Sequence, residues 1–157
     1  MSKRICVDMS ATLIHHGHIR LLKKASQLGT VVVALTTDEE VQRTKGYKPE
    51  LSFEERKEII ESIRYVDEVI PCKWLIDEAF LDEHNIDLLV HGDDNSNIVS
   101  KERLVIFPRT EGISSSEMRG RVLDSLISIN INKDQFLGTD RVARALFTLI
   151  KNEFRMD

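Results

Sequence analysis

The sequence predicts an α/β protein: a parallel sheet of about five strands flanked by helices, with an extra helix toward the C-terminal end. Three observations point there. Short apolar runs alternate along the chain with stretches of helical periodicity, the pattern of repeated βαβ units. One run, TVVVALT, is β-branched and apolar on both alternating faces, as a central parallel strand must be. Each cluster of chemically active residues follows one of the expected strands, which is where open parallel sheets bind ligands.

Residues 4–8 (RICVD) read as the first strand. Over residues 18–28, Ile19, Leu21, Leu22, Ala25 and Leu28 recur at helical spacing, and Gly29 stands where a C-cap glycine belongs. Residues 30–36 are the second strand. Ser52 and Glu55 form a capping box for a helix expected to run to about Arg64, with Ile59, Ile60 and Ile63 on one face. Residues 68–71 (EVIP) are the third strand, closed by a proline that cannot pair further. Residues 75–84 are amphipathic. Residues 87–91 (DLLVH) are a fourth strand leading into Gly92, Asp93 and Asp94, and residues 104–107 (LVIF) are a fifth, ahead of Pro108.

The chain has 157 residues, the size of one domain with its own core. Twenty-two basic residues against 26 acidic ones give a net charge of −4, which speaks against a generic nucleic-acid binder. No run approaches the roughly 20 apolar residues of a spanning helix, so no membrane insertion is expected. The N-terminus carries no apolar segment of signal-peptide length, and a cytoplasmic location is the expectation. Cys6 and Cys72 form neither a CxxC pair nor a zinc pattern, and neither is assigned a catalytic role.

After the first strand comes His15-His16-Gly17-His18. Two imidazoles at i and i+3 across a helix start can face one ligand, and Gly17 lets backbone approach it. The free N–H groups and the helix dipole favour an anion, so the site suits a phosphate. Zinc would need a further ligand, which Asp93 or Asp94 could supply. His16 points to another side. After the fifth strand comes RTEGISSSEMR, where Ser114, Ser115 and Ser116 stand at an expected helix start near Arg109. One serine would serve as a cap; three, with Arg109 and Arg119, read as a second anion cradle. Two phosphate cradles at one end of a parallel sheet imply a nucleoside triphosphate gripped from both sides.

HHGH together with RTEGISSS resembles the HxGH nucleotidylyltransferase superfamily, and within it the cytidylyltransferases of the glycerol-3-phosphate and phosphocholine type. The stretches HGHIRLLKKASQLG, TTDEE, ERKEIIESIRYVDEVIP and HNIDLLVHGDD are similar to bacterial glycerol-3-phosphate members, and the likeness covers roughly residues 3–126. It implies a Rossmann-like nucleotidylyltransferase domain over residues 1–127, followed by a helical extension over 128–157. In that extension GTDRVARALFTLIKNEF reads as an amphipathic helix that packs on the domain or a partner subunit. A homodimer is implied as well.

The resemblance further implies catalytic roles for His15, His18, Lys45 and Arg109, with Lys45 placed in a flexible-looking KGYK loop. It implies nucleotide contacts from Met9, Ser10, Ala11, Gly17, His91, Asp94, Thr110, Ile113, Ser114, Ser115 and Ser116. It gives the acceptor to Lys45, Arg64 and Trp74. The activity implied is transfer of CMP from CTP to a small phosphate- or phosphonate-bearing acceptor, glycerol 3-phosphate by default. Pyrophosphate leaves, and Mg2+ is bound chiefly by the nucleotide phosphates rather than by a protein metal site. One departure stands out. Family members usually carry Gly-Thr-Phe-Asp before the histidines, where this chain has Met9, Ser10, Ala11 and Thr12. That form resembles cytidylyltransferase domains of phosphonate biosynthesis, which makes 2-hydroxyethylphosphonate or 2-aminoethylphosphonate the rival acceptor. SSEMR is also similar to the adenylyltransferases of the superfamily, an alternative that RTEG and RYVDEV oppose.

Overall fold

The structure is a computed structural model that describes residues 2–131, with side chains as far as Ser125. Five parallel strands run in the order β3-β2-β1-β4-β5: β1 is Arg4–Met9, β2 Thr30–Thr36, β3 Glu68–Cys72, β4 Leu88–Gly92 and β5 Leu104–Phe107. The order reverses at β1, whose two neighbours are β2 and β4, so the switch point lies at its carboxyl end. This is the Rossmann-like sheet expected. The helices are α1 (His16–Ala25), α2 (Asp38–Lys45), α3 (Phe53–Glu61), α4 (Glu78–Glu83) and α5 (Ser115–Ile131), with a 3-10 turn at Lys101–Arg103.

Strand alternation sorts the core into two layers. Ile5, Val7 and Met9 face the side of Leu22, Ala25 and Ile60. Cys6 faces the opposite side with Val32, Ala34, Ile76 and Leu81. Each fully buried aliphatic side chain contributes about 1.5–3 kcal/mol of transfer free energy, and the central strands supply most of them. The chain divides into two compact units, Met1–Ile113 and Ser114–Asp157. The first holds the sheet; the second begins with α5. The amphipathic stretch expected over 138–154 lies outside the described residues.

Four expectations need correction. The first helix ends at Ala25 with Ser26 as its C-cap, so Gly29 is no cap. Gly29 is needed for closeness instead: a Cβ there would stand 2.1 Å from the Lys3 carbonyl oxygen. The third strand continues through Pro71 to Cys72, which pairs with Thr36; β3 is an edge strand, where proline is tolerated. The capping-box helix stops at Glu61, and its buried face is Arg56 and Ile60, with Ile59 exposed. Lys45 is no loop residue but the last of α2, ended by Gly46 in the left-handed conformation (φ 77°).

Candidate active site

The HHGH segment forms the start of α1, and its imidazoles do the capping. His15 is the N-cap: its Nδ1 accepts from the Gly17 N–H at 3.1 Å. His18, three residues on, returns the bond, its Nδ1 accepting from the His15 N–H at 3.2 Å. Histidine here takes the parts that Ser and Glu play in an ordinary capping box. A Nδ1 that accepts is unprotonated, so in each neutral ring the proton sits on Nε2. Both histidines are therefore set as Nε2–H donors. The rings lie 3.9 Å apart at 36°. Gly17 is required beneath them, because a Cβ would come within 2.9 Å of the His15 ring and 3.4 Å of Ile113 Cγ2. Burial, and then the charge of His15, push His18 down to about 3; Arg109 and Lys45 act in the same direction. His18 is thus neutral near pH 7. His16 is exposed.

Around this pair the carboxyl ends of the strands bring further side chains. After β1, Ser10 Oγ accepts from Lys45 Nζ at 3.1 Å. The same ammonium lies 5.4 Å from the centre of the Trp74 ring, which follows β3. The Trp74 N–H donates to Glu40 Oε2 at 2.9 Å. Glu40 is held down to about 2 by Arg43 first and by that N–H second. Met9 and Ala11 are buried, and Ala11 has φ 43°. Left-handed backbone in a residue with a Cβ costs about 1–2 kcal/mol. After β4 and β5, Asp94 Oδ2 accepts from Arg109 Nη1 at 2.7 Å. Gly92 gives that pair room, since a Cβ there would come within 2.9 Å of Asp94 Oδ1 and 3.1 Å of Arg109 Cγ.

Such an arrangement suits a polyanion: two aligned imidazole donors at a helix start, with an ammonium and a guanidinium both electrostatically coupled to His18. A family model described as cytidylyltransferase-like matches residues 11–121. The chain belongs to the cytidylyltransferase-like family. The glycerol-3-phosphate cytidylyltransferase of Bacillus subtilis (strain 168) is 42% identical over 127 residues, which are 76% of this chain and 97% of that protein. The protein of the same name from Staphylococcus aureus (strain NCTC 8325 / PS 47) is 37% identical over 125 residues, 74% of this chain and 92% of its own. The ethanolamine-phosphate cytidylyltransferase of Dictyostelium discoideum is 34% identical over 132 residues, 76% of this chain but 36% of that longer protein. Among solved structures, a lipopolysaccharide core biosynthesis protein from Thermoplasma volcanium GSS1 shares the fold, with a TM-score of 0.60 at 21% identity, covering 71% of this chain and all of that one. Family membership makes the chain a nucleotidyltransferase. No helix among the described residues is long and apolar enough to cross a membrane.

For a cytidylyltransferase-like protein the remaining expected residues fall as follows. His91, next to last in β4, has Nε2 3.5 Å from Asp8 Oδ2 and Nδ1 3.7 Å from Asp94 Oδ1. Thr110 is half-buried and Ile113 buried under Gly17. Ser114, Ser115 and Ser116 open the second unit. There Ser114 caps α5, its hydroxyl accepting from the Glu117 N–H at 3.1 Å. Arg64 is not brought to the site. The chain after α3 turns back at the amino end of the sheet, where the Asp67 N–H donates to the Val31 carbonyl at 3.0 Å. Arg64, exposed in that turn, lies at the opposite end of the sheet from His15 and His18 within the protomer.

Three residues at this end went unread in the sequence. Arg56 is fully buried. Its signal was present: it precedes Ile60 by one helical turn, a cation on the apolar face. Asp38 pairs with it at 2.6 Å. Asp8 sits below the Ser10 turn with Oδ2 accepting from Asn97 Nδ2 at 2.9 Å, while its buried Oδ1 has no partner. Burial raises its carboxyl pKa, and the charge of His91 opposes the rise.

Proposed function

We propose that this chain transfers the cytidylyl group of CTP to a small phosphate-bearing acceptor, with glycerol 3-phosphate the first acceptor to expect. The observation that carries this reading is the paired histidines at the start of α1, each with its Nδ1 accepting a backbone N–H and its Nε2 left to donate, His18 being held neutral by burial. An acceptor oxygen attacks the α-phosphorus in line, its bond to phosphorus forms, and the bond to the β-phosphoryl oxygen breaks. Pyrophosphate leaves with the electron pair. The acceptor arrives as an oxyanion, so no base need take a proton, and catalysis lies in placement and charge stabilisation. His15 and His18 donate to the α-phosphoryl oxygens. Lys45 bridges nucleotide and acceptor beside Trp74. Arg109, held by Asp94, meets the triphosphate. Ser114, Ser115 and Ser116 keep the phosphate role that the sequence resemblance gives them.

Among the described residues no three His, Cys, Asp or Glu side chains gather into a metal site, and rings protonated on Nε2 donate rather than ligate. Magnesium would accompany CTP, bound chiefly through the nucleotide rather than by protein side chains, and would supply charge neutralisation for the leaving group. The dimer expected from the resemblance belongs to this proposal and is read by sedimentation equilibrium.

A second reading has its own observation. Met9, Ser10 and Ala11 form the turn whose hydroxyl Lys45 contacts, and that turn is where the sequence resembles the phosphonate enzymes. One experiment decides among all of these. Pyrophosphate release is measured with CTP or ATP against glycerol 3-phosphate, phosphoethanolamine, 2-aminoethylphosphonate and 2-hydroxyethylphosphonate. Release with CTP and glycerol 3-phosphate at the highest kcat/KM is expected. A phosphonate preference moves the acceptor, and release with ATP but not CTP sinks the cytidylyl reading.

A further inference from the structure

We propose that Arg56 is a positioning residue for the transfer, holding Ser10 and Lys45 in register so that both face the nucleotide phosphates. The inference rests on the cytidylyl-transfer reading above. Its basis is a closed ring of contacts. Arg56 Nη1 donates to the Ser10 carbonyl oxygen at 2.6 Å, Nη2 to Asp38 Oδ1 at 2.6 Å, and Nε to the Leu51 carbonyl oxygen at 3.2 Å. Asp38 is the first residue of α2 and Lys45 the last. Lys45 Nζ then returns to the Ser10 hydroxyl at 3.1 Å. One guanidinium thus anchors the turn from behind and, through the helix, the ammonium that meets that turn from in front.

The ring holds a conformation that the local sequence does not favour. Ala11 sits at φ 43° directly after Ser10. Such a residue persists only where its surroundings over-determine it. Here the two preceding carbonyls are both fixed, Met9 by the Thr36 hydroxyl at 3.3 Å and Ser10 by Arg56. A position that needed only volume next to Ile60 would be served by Leu or Met, without the desolvation that a buried cation carries. A planar fork with three N–H directions reaches two backbone carbonyls and one carboxylate from separate positions, and a lysine ammonium in the same space does not reproduce that geometry.

The test is a double-mutant cycle on the full chain. kcat and both KM values are measured for Ser10→Ala and Arg56→Lys, singly and together, per folded molecule. Arg56→Lys should lower kcat about tenfold or more and raise the acceptor KM, as small misplacements of catalytic groups do. Ser10→Ala should then cost far less in the Arg56→Lys background than alone, because the hydroxyl is already displaced. An equal Ser10→Ala cost in both backgrounds would overturn the proposal. So would an Arg56→Lys protein that melts lower but turns over normally. Should Arg56→Lys not fold, Asp38→Asn, which keeps the carboxylate's shape, enters the same cycle with the same two outcomes. A wild-type chain that releases no pyrophosphate from CTP defeats the transfer reading itself, and that failure is visible before any variant is made.

Discussion

At the amino end of the sheet, strand N–H groups meet carboxylates directly: Asp87 Oδ2 accepts from Arg4 N at 2.7 Å, and Asp67 Oδ2 from Val31 N at 2.8 Å. The left-handed residue at this end is Asn85, exposed just after α4, where asparagine is well tolerated. At the carboxyl end the left-handed residue that is not glycine is Ala11, buried and with no side chain able to ease it. The helix start there is capped by imidazoles, one of them pushed far below its ordinary pKa. A fully buried arginine and a buried carboxylate oxygen without a partner lie near the same turn. One end ties its strand starts with ordinary carboxylate contacts, although the buried Arg4 Nε there has no partner. The other holds protonation states and backbone angles against their local preference, which is where chemistry is found.

Several substitutions can break or sharpen that contrast. His18→Ala should lower kcat about a hundredfold or more while circular dichroism stays native, since a donor to developing charge is worth that much; a near-normal kcat would make the two ends equivalent. Arg64→Ala, at the amino end, should leave the acceptor KM where it is. Gly29→Ala should cost about 1–3 kcal/mol in urea denaturation through the clash with Lys3, with kcat per folded molecule unchanged. The pH dependence of stability carries a smaller signature. Between pH 6.5 and about 3 the unfolded chain holds a proton on His18 that the folded chain does not. Stability from this group is therefore complete above pH 6.5 and declines as acid is added toward 3. His18→Asn should flatten that part of the urea midpoint profile. Asn85→Gly should move stability by no more than about 0.5 kcal/mol.

The strands and the two helix starts at HHGH and the serine run were legible because hydrophobic patterning and capping chemistry are local. TVVVALT is β2 to the residue, and Ser52 with Glu55 is the capping box that the spacing called for. What was not legible depends on approach in space. Gly29 looked like a cap, and only the Lys3 backbone beside it explains the glycine. Lys45 looked like loop because α2 is polar nearly throughout, burying only Val41. Arg56 was missed because its acceptors, Ser10, Asp38 and Leu51, come from segments up to 46 positions away. Arg64 was assigned by motif, and motif says nothing about which end of a sheet a turn occupies.

Trp74 is the sole tryptophan of the chain, and the Lys45 ammonium stands over its ring. The indole therefore carries a charge at fixed range that an incoming anion would draw away. Intrinsic fluorescence becomes an unlabelled optical readout at one address, so ligand titrations can be followed by emission alone.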